Sequence, residues 1–254
     1  MGDKDSFQEL LFSEKYVILK IPREGISPLM IIGREEQGDE FELFGTIEDM
    51  FTSEQALPKI GEDNVAVNIS GKNTGRVSLS LGLKLMNTFL EAFQAKMGIN
   101  VSSEKADTAE IIFSDVYSSM VMPLQVRHYV TNASLRYEED RKLLDPKGKT
   151  FVITEVLKTA LVKIKIYDRD GKSVGMEGEI GTPASGHFSA EKDNVKEKIL
   201  SYEGDKKVIF AFRAIPIWYD GNRPVVGCFT IRGHDEDPKV EYLSVPPDSS
   251  ITII

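Results

Sequence analysis

The stretch TFVITEVLKTALVKIKIY, residues 150–167, constrains the fold more than any other part of the chain. Val152, Val156, Ala160, Val162, Ile164 and Ile166 recur at even positions, interrupted only by Thr154 and Lys158, and most are β-branched. Glu155, Thr159, Lys163, Lys165 and Tyr167 fall at odd positions. Successive side chains of a strand point to opposite faces, so the run predicts a strand with one oily and one wetter face. Ordinary strands are about 5–6 residues long; this run predicts a much longer one. Asp168, Asp170 and Gly171 then supply the chemistry of a tight turn. A second apolar strand is predicted over residues 208–219, VIFAFRAIPIWY. A long core hairpin in an ordinary α+β protein satisfies this much of the pattern.

The cleanest period-two run is residues 77–85. Val77, Leu79, Leu81, Leu83 and Leu85 share one face, and Ser78, Ser80, Gly82 and Lys84 the other, which predicts a strand. It flows into residues 86–97, where Met86, Phe89, Leu90, Phe93 and Met97 recur at helical spacing, with Gly98 placed to cap an amphipathic helix. Further strands are predicted over residues 16–21, closed by Pro22, and over 26–33, 41–44, 65–70, 109–117, 174–180 and 225–231. Residues 6–11 and 46–51 predict short helices, and residues 133–142 and the charged stretch 189–199 surface helices. Residues 123–129 read equally well as helix or strand. The fold class expected is α+β: a twisted, mostly antiparallel central sheet with surrounding helices.

Composition narrows function by exclusion. The net charge of −9 argues against nucleic acid as the main partner, which requires a clustered basic surface. His128, His187 and His234 show no metal-ligand spacing, and Cys228 sits among apolar neighbours as a packed thiol would. Glu177 and Glu179 are scattered carboxylates with nothing to mark them for acid–base work. No phosphate-binding glycine loop and no nucleophile elbow is present. The sequence therefore offers no catalytic residue, no metal site and no cofactor site. No apolar run approaches the ~20 residues of a transmembrane helix, so any membrane contact is expected through an amphipathic helix or β-strands.

From residue 233 the character changes. GHDEDPKVEYLSVPPDSSITII is acidic and proline-rich, yet it carries Val240, Tyr242, Leu243, Val245, Ile251, Ile253 and Ile254. A short tail with that many apolar groups gains free energy by lying in a groove. Residues 1–232 are accordingly expected to form the folded body and 233–254 a tail.

Three stretches resemble a known family. Residues 151–159, FVITEVLKT, resemble the strand motif V-x-V-V-T-E-V-L-x-[ST] of the gasdermin pore-forming domain. Residues 208–214, VIFAFRA, resemble the L-A-F-R-V strand near its end. Residues 17–29, VILKIPREGISPL, are similar to the bacterial members' strand–loop pattern, with Pro22, Arg23, Gly25, Pro28 and Leu29 in place. The likeness covers about residues 7–231.

The resemblance implies a monomer in the cytoplasm held inactive by a short C-terminal segment. A caspase-like protease would remove that segment. The freed domain would then form a homo-oligomeric β-barrel pore with membrane lipids at the inner membrane, killing the cell in antiphage defence. On this reading Val240, Tyr242, Leu243, Val245, Ile251 and Ile253 form the autoinhibitory tail, and cleavage is expected around Arg232, Lys239 and Leu243. One membrane-inserting hairpin would use Val77, Leu79, Leu81, Leu83, Leu85, Ile111 and Phe113. The other, built from residues 151–167 and 174–180, would use Val152, Val156, Ala160, Val162, Ile164 and Ile166. Spanning strands need about 9–11 alternating residues, and unpaired backbone is not tolerated in lipid, so several chains must close the barrel together. The chain departs from the family pattern in lacking a cysteine near residue 1, so no lipidation site is identified. The competing expectation is a soluble α+β binding or scaffold protein.

Overall fold

The computed structural model describes residues 11, 13–34, 40–70, 76–92, 96–101, 106–144, 150–174, 176–181, 187–193, 197–221, 223–227, 243 and 252–253. In chain order the elements are β1 (Val17–Arg23), β2 (Met30–Arg34), β3 (Glu40–Thr46), α1 (Ile47–Met50), β4 (Phe51–Ser53), β5 (Asn64–Val65), β6 (Val77–Ser78), α2 (Leu79–Ala92), β7 (Lys96–Val101), β8 (Ala106–Ser114), β9 (Tyr117–Met120), α3 (Pro123–Thr131), β10 (Ala133–Leu135), a 3-10 helix (Glu138–Leu143), β11 (Thr150–Asp168), β12 (Met176–Gly181), β13 (His187–Asp193), β14 (Glu197–Asp220), β15 (Arg223–Val226) and β16 (Thr252–Ile253).

β11, at 19 residues, is the spine of the main sheet. Along one direction the order is β1-β14-β11-β2-β3-β16. β8 and β9 also pair with β11. All of these ladders are antiparallel except β16 on β3.

β11 has two halves with different surroundings. From Phe151 to Leu157 every side chain is buried. Val152 belongs to an apolar cluster with α1, α3 and β15, while Phe151, Ile153 and Val156 join another around Leu19, Ile26 and Phe212. A strand covered on both faces reads as a continuous apolar run rather than an alternating one. Beyond Lys158 the alternation returns. Val162, Ile164 and Ile166 are buried with Met86, Phe89 and Leu90 of α2 and with Ile111 and Phe113 of β8. There the Phe113 and Phe210 rings stack at 5.0 Å, with Phe89 5.2 Å from Phe113.

The β11–β14 ladder breaks where the halves meet. Thr159 pairs with Val208, but Leu161 pairs with Glu203, so residues 204–207 bulge out opposite Ala160. At the far end the turn forms as expected, with the Gly171 N–H donating to the Asp168 carbonyl at 2.9 Å. Gly171 adopts a φ of 75°, a conformation that disfavours any residue with a Cβ.

Several sequence expectations are corrected. Residues 77–85 are not a strand: only Val77 and Ser78 pair, with Ala109 and Thr108, and Leu79, Leu81, Leu83 and Leu85 lie in α2. Leu79, Leu83, Met86 and Leu90 are also spaced as one helical stripe, and that stripe packs on the distal core. α2 ends at Ala92, and Met97 and Gly98 belong to β7. Residues 189–193 and 197–199 are strand and not helix, pairing with each other as parts of β13 and β14. The stretch 174–180 meets β11 only at its start among the described residues: Ser173 bridges to Tyr167 and the Val174 N–H donates to the Ile166 carbonyl at 2.8 Å, while β12 pairs with β7.

The stretch 133–142 is short β10 followed by the 3-10 helix, and 65–70 contributes only Val65 to a strand. Pro22 does not end β1, which continues through a register shift to Arg23, a place where proline's missing N–H is tolerated. Residues 123–129 prove helical. The helix expected over 6–11 lies outside the described residues apart from Leu11, and the strand expected over 225–231 is described only to Gly227.

Candidate functional site

The chain's last described residues are seated on the sheet. β16 adds to the edge of β3 in parallel, with Thr252 opposite Glu40 and Ile253 opposite Phe41. The Ile253 side chain is 5% exposed and enters the cluster formed by Val17, Leu19, Ile26 and Phe41. Arg23 Nη1 donates to the Ile253 carbonyl at 2.7 Å. Ten residues earlier in the sequence, the Leu243 N–H donates to the Ala214 carbonyl of β14 at 2.7 Å, and its side chain leans on the same cluster. The tail residues thus touch β14 at one point and β3 at another, on opposite sides of β11 in the sheet.

A buried ionic group lies across the spine. Glu155 of β11 stands opposite Arg213 of β14, and Arg213 Nη1 donates to Glu155 Oε2 at 2.7 Å. Ser118 Oγ donates to the other oxygen of Glu155. Arg213 also donates through Nε to the Glu14 carbonyl at 2.7 Å, and through Nη2 to Glu14 Oε2 at 3.2 Å. Its guanidinium lies 4.0 Å from the centre of the Tyr16 ring. Burial, and then the Glu155 carboxylate, push the Tyr16 hydroxyl far above its ordinary range, against the opposing pull of Arg213.

A second charged group sits at the ladder break. Asp63 Oδ1 accepts from Lys158 Nζ at 2.6 Å and from Ser119 Oγ at 2.6 Å. Asp63 Oδ2 accepts from Lys207 Nζ at 3.2 Å. Lys207 Nζ also rests 3.6 Å from the centre of the Tyr117 ring. Partial burial works to raise the Asp63 pKa, but the bonds from Lys158, Ser119 and Lys207 outweigh it and hold it at about 2.

Of the residues singled out in the sequence, Ile111, Phe113, Val162, Ile164 and Ile166 come together in the distal core, with Leu79 and Leu83 packed against it. Val152 and Val156 lie in the doubly covered half of β11, and Ala160 is half-buried at the break. Arg232, Lys239, Val240, Tyr242, Val245 and Ile251 lie outside the described residues. Sequence reasoning missed Glu155, Arg213 and Asp63. The first two had a readable signal, a charge embedded in each apolar strand motif. Asp63 had none, because its lysines are distant in sequence. Among the described residues no three His, Cys, Asp or Glu side chains gather to hold a metal ion. No described helix is long and apolar enough to cross a membrane, which leaves crossing by strands untouched.

The architecture is that of a gasdermin. A solved structure of a bacterial gasdermin from Bradyrhizobium tropiciagri matches with a TM-score of 0.62 at 15% identity, covering 99% of this chain and 97% of that one. A sequence model of the Bacterial Gasdermin Family matches residues 19–227. A gasdermin bGSDM of Vitiosangium sp. is 28% identical over 208 residues, covering 80% of this chain and 77% of its own. Another, of a Desulfuromonadales bacterium, is 25% identical over 232 residues, covering 88% and 85%. The chain belongs to the bacterial gasdermin family. Membership implies a pore-forming function in cell death rather than an enzymatic one.

Proposed function

We propose that the chain is stored as an inactive monomer and becomes a membrane pore when a protease, caspase-like by family resemblance, cuts ahead of its seated end. The observation that carries this reading is the seat itself: Ile253 buried against β1 and β3, with Arg23 on its carbonyl. A tail held by non-covalent contacts alone detaches readily once severed, because it no longer benefits from being tethered to the body. The cut is placed in the acidic, proline-containing stretch around Arg232, Lys239 and Leu243.

After release, the segments around Val77–Ser78, α2 and β8 would form one inserting hairpin, with α2 refolding into strand and β7 leaving its pairing with β12. β11 and the distal part of β14 would supply the other. The site of action is the inner membrane, the partners are lipid and further copies of the chain, and the outcome is death of an infected cell. The test is dye release from anionic liposomes by the intact chain, by the chain after limited proteolysis, and by a truncation lacking residues 233–254. The intact chain should be silent and both shortened forms leaky. A truncated, folded chain that leaves liposomes and cells unharmed overturns the proposal in favour of a soluble binding or scaffold role.

A further inference from the structure

Asp63 lies just ahead of β5, outside both long strands, yet it ties three strands together. Ser119 belongs to β9, Lys158 to β11, and Lys207 to the bulge of β14. The tie falls where the β11–β14 ladder changes register, between the doubly covered half and the alternating half. Neighbouring bonds brace the same place. Thr159 Oγ1 donates to the Ser114 carbonyl at 2.6 Å and accepts from the Leu161 N–H at 3.0 Å. The Gly61 N–H donates to the Met120 carbonyl at 2.8 Å, holding the segment that carries Asp63 against β9.

We infer that Asp63 is a clasp that holds the break in the β11–β14 ladder, and that it must open before the two halves become one continuous ribbon. The inference rests on the pore reading above. The physical argument is geometric. A uniform ladder requires residues 204–207 to be drawn into register with β11. Carrying the distal register, in which Leu161 stands opposite Glu203, into the proximal half would set Lys207 opposite Leu157, on the other face of the sheet from Lys158, so the grip of Asp63 on both lysines opposes that slide. The described ties of the clasp, Ser119, Lys158 and Lys207, are not the groups that hold the tail, which are Arg23, the Ala214 carbonyl and the cluster around Phe41. Release of the tail and closing of the break are therefore separate steps, and the clasp sets the rate of the second.

The test uses the full-length chain and its truncation lacking residues 233–254, each with Asp63, Asp63→Asn or Asp63→Ala. Asp63→Asn is nearly isosteric and keeps an acceptor for Ser119, so it separates loss of charge from loss of fold. Amide hydrogen exchange of the intact chains is expected to quicken around residues 158–161 and 203–208 in both variants. In the truncated chains, dye release from anionic liposomes is expected to begin roughly three- to tenfold sooner than with Asp63, the range two part-exposed ion pairs support. A charge-reversed chain, Asp63→Lys with Lys158→Glu and Lys207→Glu, should restore the slower onset. Unchanged exchange, or an unchanged onset beside a leaking Asp63 truncation, overturns the clasp alone. An inert Asp63 truncation overturns the pore reading and with it the clasp's role in insertion.

Discussion

Replacing Ile253 with alanine should unseat the tail without any cut. Ile253 is 5% exposed and belongs to the cluster of Val17, Leu19, Ile26 and Phe41, so removing its outer carbons sacrifices apolar burial there. Truncating a buried isoleucine to alanine costs about 2–4 kcal/mol. Because a chain end can detach locally, that cost falls on docking rather than on the whole fold, and corresponds to roughly 30- to 900-fold in the docking equilibrium. Arg23→Ala removes one charge-assisted bond to the Ile253 carbonyl and should cost about 1–2 kcal/mol, less than the side chain itself.

The assay pairs hydrogen exchange of the Glu40–Phe41 edge with liposome leakage by uncut protein. Exchange should accelerate at that edge for Ile253→Ala, less for Arg23→Ala, and remain unchanged at the centre of β11 and β14. Leakage without protease should appear in the same order. Edge exchange identical to that of the parent chain would refute the reasoning, since it would mean that Ile253 contributes nothing to holding the end in place.

Other outcomes follow from the same geometry. Glu155→Ala removes one of the acidic partners of Arg213 and should lower the urea-unfolding free energy by about 3 kcal/mol, whereas Glu155→Met with Arg213→Met should lose less than the single change. The Asp63 carboxyl is held at about 2, below its unfolded value, so its contribution is complete above about pH 4 and disappears as pH falls toward 2. The stability difference between the parent and Asp63→Asn, roughly 1 kcal/mol after solvent screening, should therefore persist to about pH 4 and vanish only below it; loss nearer neutrality would count against the clasp. Leu81→Arg should nearly abolish leakage by the tail-less chain, because a cation facing lipid at mid-bilayer costs about 2–4 kcal/mol per chain. Retained leakage would remove residue 81 from the inserting strand.

The spine was legible because residues 150–167 satisfy one period for long enough that no helix fits. α2 was not, because leucines at every second position also contain the stripe Leu79, Leu83, Met86 and Leu90. Local pattern cannot choose between those periods; packing on Ile111, Val162 and Ile164 does. Residues 189–199 look like a solvated helix because charge is spread along them, but pairing with β14 overrides that propensity. The β7–β12 pairing joins segments far apart in sequence, beyond the reach of any local signal. At the candidate site, the apolar tail residues predict packing against the body; of them Leu243 and Ile253 are described, and both join the cluster of Val17, Ile26 and Phe41. Which body residues they meet was invisible in the sequence, because those residues lie more than 200 positions away.

The Glu155–Arg213 pair has a consequence for assembly of the fold. Side chains on a strand alternate, so sliding β14 by one residue along β11 would turn Arg213 away and strand both charges in an apolar interior. Every pairing of these two long segments slipped by an odd number of residues carries that penalty. The pair therefore works as a registration pin during folding, excluding the slipped hairpins that such repetitive, β-branched sequences would otherwise sample.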